Sequence, residues 1–114
     1  MDTQTAYRDV IEKVLTEYAA IPYAYGQVDT QTVFDRANDH YLLMIVGDEG
    51  PKAKRRVHGC LVHIDIVRDT ILIQRDGTEH GMAPELVREG IAPERIVLAF
   101  HHAGARPYSE FLAA

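Results

Sequence analysis

Residues 57 to 66 read VHGCLVHIDI, which sets His58, Cys60, His63 and Asp65 within ten positions. Each of these side chains offers a donor atom that can hold a transition metal, and a histidine beside a carboxylate can also move a proton. The alternation of apolar and polar residues is that of a β-strand, in which successive side chains point to opposite faces. That geometry puts His58, Cys60, Val62, Ile64 and Ile66 on one face, read as core. It puts Leu61, His63 and Asp65 on the other. The four donors then cannot meet on one ion unless a bulge intervenes. Gly59 would permit a bulge but nothing requires one. The spacing also matches neither a paired-cysteine zinc motif nor HExxH. The expectation is therefore no bound metal and no cofactor.

Other candidates are scattered. DGTEHG, residues 76 to 81, brings His80 between two glycines, but Asp-Gly after a strand is turn chemistry leading to a helix start. His101 and His102 are adjacent and would face opposite ways on a strand. His63, Asp65, His80 and His101 together form the set that a small enzyme or ligand-binding domain would use, if the chain brought them together. Cys60 reads as inert packing in an apolar strand. Ser109 lacks the setting of a nucleophile elbow, and neither a GxGxxG motif nor a P-loop is present. The residues alone identify no catalytic constellation.

The elements that must position these residues follow from periodicity. Tyr7, Val10, Ile11, Val14, Leu15 and Tyr18 mark one stripe of an amphipathic helix, with Arg8–Glu12 and Asp9–Lys13 as candidate pairs on its polar side. Pro22 and Gly26 end it. Four strand-like runs follow: TQTVFDRA, HYLLMIVG, RRVHGCLVHIDIV and TILIQRD. HYLLMIVG is apolar at nearly every position, which implies cover on both faces. The dipeptide RD before TILIQRD is a tight hairpin connection. Residues 82 to 89 read as a short helix with Pro84 in its first turn and Gly90 as its stop. RIVLAF reads as strand-like, and RPYSEFLAA adds a closing helical turn. The fold class is α+β: an N-terminal helix on an antiparallel meander of about four strands, then a short C-terminal helix and strand-like segments, with no alternating βαβ pattern.

Length and charge bound the function. A chain of 114 residues, 46% hydrophobic and 25% charged, is the size of one domain, taken as residues 1 to 114. The first residues lack the apolar run of a signal peptide, and YLLMIV is too short to cross a bilayer. The single cysteine fits a reducing, cytoplasmic setting. The net charge of −5 argues against a broad phosphate-binding surface. Lys52, Lys54, Arg55 and Arg56 are the one basic gathering, beside acidic residues, and imply weak, non-specific DNA contact at most. One helix covers one face of a small sheet, so apolar residues should remain on the other; Leu43, Ile45, Leu61 and Ile73, next to His63 and Asp65, are the expected lining. A homodimer, or a partner on the same surface, would cover them.

The stretches YRDVIEKVLTEYAAIPYAYG, RRVHGCLVHIDI, ILIQRDGTEHGMAPELV and IVLAFHHAGARPYSEF, in this order over nearly the whole chain, resemble the XisI-like family, the fdxN element excision controlling factors of cyanobacteria. Family members often carry tryptophans where this chain has Asp48 and Leu72, an acidic residue at His80 and an asparagine at Pro84. The resemblance implies a non-enzymatic accessory protein in developmentally regulated DNA excision. It implies a XisH-like partner, whose fold resembles restriction-endonuclease-type nucleases, and it carries over no catalytic residues.

Overall fold

A computed structural model describes residues 3–22, 27–50, 55–100 and 106–112. Helix α1 spans Thr3–Ala19. It buries Tyr7, Ile11, Val14 and Leu15, with Val10 and Tyr18 at the margin of the same stripe. The polar side of α1 ties the helix to the rest of the fold. Arg8 reaches Asp39, Lys13 reaches Glu89, and Arg36 takes both Asp9 and Glu12. Long-range partners thus claim side chains that the sequence pairs within the helix.

Four antiparallel strands follow: β1 (Gln27–Asp35), β2 (His40–Glu49), β3 (Arg55–Val67) and β4 (Thr70–Asp76). The expected meander is present. Its third and fourth strands begin and end where alternation and turn residues place them. Arg68, with φ 58°, makes the tight β3–β4 connection. Helix α2 (Ala83–Arg88) has Pro84 in its first turn, and Gly90 ends it at φ 107°. The chain then returns through a 3₁₀ turn, Pro93–Arg95, into β5 (Ile96–Leu98). Strand β5 pairs parallel to β4, because the α2 crossover brings the chain back to start at the same end of the sheet. One βαβ unit therefore exists where none was expected. Strand β6 (Arg106–Pro107) closes the six-stranded sheet and leads into α3 (Tyr108–Leu112).

The core lies between α1 and one face of this sheet. Tyr41, Leu43, Val62, Ile64, Ile71, Ile73 and Ile96 are all fully buried there, joined by Leu86 from α2. At roughly 25 cal/mol per Å² of apolar surface, each buried Leu or Ile contributes about 2 kcal/mol before entropy is charged. A register shift opposite Leu43 and Met44 makes Leu61 an extra residue in β3. The bulge sends Leu61 toward the core beside Val62, and it moves Cys60 opposite Met44 and His58 opposite Val46.

The face assignments change accordingly. His58 and Cys60 lie with His63 and Asp65, away from the core, because cross-strand partners share a face. The proposed outer lining is inverted. Leu43 and Ile73 are fully buried under α1, Leu61 packs against the same core, and Ile45 is half-buried on that side. The outer face instead carries Val33, Leu42, Met44, Val46, Leu72 and Val97. Val33 is 47% exposed and the others are intermediate, so β2 is not covered on both sides among the described residues. Among those residues, no helix is long and apolar enough to cross a membrane.

Candidate functional site

The chemistry-bearing residues that meet do so on the outer face, at the β1–β2 end of β2. His40 is the first residue of β2 and pairs across the ladder with Asp65 of β3. His63 stands two residues before Asp65 and therefore on the same face. His40 Nδ1 lies 2.7 Å from Asp65 Oδ1, and His63 Nε2 lies 2.8 Å from the same oxygen. The two imidazoles meet edge to face, with ring centroids 6.1 Å apart. Gln74 Nε2 donates to the other oxygen, Asp65 Oδ2, at 3.3 Å. The carboxylate is thus held on both sides.

Burial divides the cluster. The Asp65 side chain is 14% exposed, that of His63 33% and that of His40 49%. Burial pushes the Asp65 carboxyl up, but the hydrogen bonds from His40 and His63 outweigh it and hold the group below its usual range. The hydrogen bond to Asp65, and then its charge, raise the His40 imidazole above its ordinary value. An ionised carboxylate between two imidazoles can take up and pass on protons, or hold a cation.

The remaining candidates stay apart. His80 lines an open cleft of about 740 Å³ on the helix side, together with Glu17 and Tyr18 of α1 and Glu79 and Glu85. That is the opposite face from His63, so His80 does not join His63 and Asp65. His101 lies outside the described residues. The DGTEHG loop is held by Asp76. Its carboxylate accepts from the Thr78 amide at 3.0 Å, the Thr78 hydroxyl at 2.5 Å and the Met82 amide at 2.6 Å. This is turn and helix-entry chemistry, as its residues imply. Burial pushes the Cys60 thiol up, with the nearby Arg75 charge opposing, so the thiol is not activated as a nucleophile, although it lies outside the core.

Of the basic gathering, Lys52 and Lys54 lie outside the described residues. Arg55 and Arg56 are exposed at the start of β3, and Arg56 sits 3.7 Å from Asp48. The carboxylate there weakens the basic patch. His40 is the site residue that sequence reasoning missed. His40 lies 25 residues from Asp65 in sequence, and only the pairing of β2 with β3 brings the two together.

The sequence model of one protein family, described as XisI protein, matches residues 1–113. Among solved structures, a XisI-like protein from Anabaena variabilis ATCC 29413 is 32% identical, with a TM-score of 0.75 over 86% of this chain and 87% of that one. The fdxN element excision controlling factor XisI from the same organism is 28% identical, with a TM-score of 0.69 over 89% of this chain and 95% of that one. No match is found among curated proteins.

Proposed function

The chain belongs to the XisI family, and from that premise we propose that it is a non-enzymatic controlling factor in the excision of a DNA element, acting by binding a protein partner. The observation that carries the reading is the outer face of the sheet. Leu42, Met44, Val46, Leu72 and Val97 form a partly exposed apolar band there, with Val33 at 47% exposure beside them. A face of this kind favours a protein partner over solvent. The partner we propose is a XisH-like protein of nuclease-type fold. The chain's net charge of −5 suits a basic, nucleic-acid-binding surface, where complementary charge speeds association and fixes orientation. DNA would then be reached through the partner.

Co-expression with a XisH-like protein, followed by purification through a tag on the partner, tests this. The expected result is a stable complex that Leu42→Glu abolishes, while the isolated variant keeps its melting temperature. A complex of undiminished affinity with Leu42→Glu rules out the outer face, and no complex at all rules out the partner. The same band would also serve a second copy of the chain. Light scattering of the isolated protein reads that directly, and a dimer split by Leu42→Glu supports it.

A further inference from the structure

The His40–His63–Asp65 cluster points to a function that neither the fold nor the family comparison assigns. Two imidazole nitrogens, from different strands, converge on one oxygen of a carboxylate. The three donor atoms all lie within 4.8 Å of one another. We propose that His40 Nδ1, His63 Nε2 and Asp65 form a three-ligand site for one divalent transition-metal ion of the zinc type, with its remaining coordination positions open toward solvent on the outer face of the sheet.

The geometry supports this in three ways. First, an ion with bonds of about 2.0–2.2 Å keeps its donors roughly 3.0–3.5 Å apart. The present separations of 2.7 and 2.8 Å need to lengthen by less than an ångström, and the half-exposed His40 ring has room to move. Second, the site is built. Asp65 is 14% exposed and Gln74 holds its far oxygen, the kind of support that orients a metal-binding carboxylate. Third, the donor set chooses the ion. Two imidazoles and one carboxylate favour zinc and its transition-metal neighbours over magnesium or calcium, which take oxygen ligands. Three ligands from one sheet face cannot surround an ion, so water, or a carboxylate or imidazole from a docked molecule, completes the shell.

Zinc chloride titrated against a chromogenic chelator, with the full untagged chain, tests the site. The expected result is one zinc per chain. His40→Ala and His63→Ala should each weaken binding by roughly tenfold or more, as loss of one of three ligands requires. His58→Ala should change nothing, since His58 lies on the same strand opposite Val46, far from the cluster. Melting temperatures measured in chelator separate ligand loss from unfolding, and His40→Ala is the safer variant because its side chain is half exposed. Cobalt(II) loading adds a second reading: azide should shift the visible spectrum by entering an open position. No binding at micromolar zinc, equal weakening by His58→Ala, or a cobalt spectrum indifferent to azide each overturns the proposal.

Discussion

Asp39 should hold the first hairpin to the first helix by its charge. It sits in the β1–β2 turn with φ 58°, the left-handed region that Asp and Asn tolerate better than other side chains. Its carboxylate accepts from Arg8 Nε at 2.7 Å and from the second Arg8 nitrogen at 3.1 Å, and from the Tyr41 hydroxyl at 2.9 Å. The side chains of Arg8 and Asp39 are 23% and 15% exposed, and Tyr41 is fully buried. A hydrogen bond to a charged group contributes about 1.5–3 kcal/mol when shielded, and an exposed ion pair about 0.2–1 kcal/mol. The partial exposure places this one between. Asp39→Asn keeps the turn and one acceptor but removes the charge, and should cost about 1–2 kcal/mol at neutral pH. Asp39→Ala also strands the Tyr41 hydroxyl and puts a Cβ in a disfavoured backbone region, for a total of about 3 kcal/mol or more.

The same network fixes a pH dependence. The Arg8 hydrogen bonds hold the Asp39 carboxyl below its ordinary value, burial opposes them, and Tyr41 adds to the lowering. A carboxyl depressed in the folded state contributes stability above its unfolded value, near 3.9. That contribution disappears as pH falls through the folded pKa. Urea unfolding of the wild type and Asp39→Asn should therefore show a gap at pH 7 that closes as the pH drops below about 4. A gap under about 0.5 kcal/mol at pH 7, or one that persists unchanged at pH 3, would refute the reasoning.

Three further perturbations follow from packing. A Cβ on Gly47, at φ 155°, would overlap the Gln27 carbonyl oxygen and lie 2.7 Å from the Val28 Cα. Gly47→Ala should force β1 from β2 at about 2 kcal/mol or more, and an unchanged urea midpoint would contradict that close approach. Val62 is fully buried, so Val62→Asp should abolish cooperative unfolding by burying an unpaired charge; a normal melting curve would mean that the core face is misassigned. Because burial raises the Cys60 thiol, it should react with a thiol-specific disulfide reagent at pH 7 more slowly than free cysteine, and equal rates would count against that effect of burial.

Much of the fold is legible because its signals are local. The stripe from Tyr7 to Tyr18 repeats every three or four residues, and β3 and β4 are bounded by turn residues. The parallel strand was not legible. Ile96–Leu98 has three residues, too few to show a period, and its direction depends on how α2 docks. Nor was the face assignment, since strict alternation has no way to register an extra residue. Leu61 looks like any outward position in VHGCLVHIDI until its neighbours are paired.

The site was half legible for the same reason. His63 and Asp65 share a face by their spacing alone. His40 is 25 residues from Asp65, and only the register of β2 on β3 brings them together. That register cannot be counted from the connecting loop. From the loop side, Asp48 faces Arg56 and Met44 faces Cys60. Continued without interruption, that ladder would set His40 opposite Ile64 and, with Cys60 still beside Met44 on the outer face, would turn Val62 and Ile64 outward and His63 and Asp65 toward the core. The extra residue at Leu61 displaces the pairing by one, so that Leu43 faces Val62 and His40 faces Asp65. One bulge thus does two things. It adds an apolar side chain to the core under α1, and it swings His63 and Asp65 onto the outer face beside His40. The cluster is therefore a property of the strand pairing, and a change that removed the bulge by re-registering β2 on β3 would dissolve the site before it touched any of the three residues.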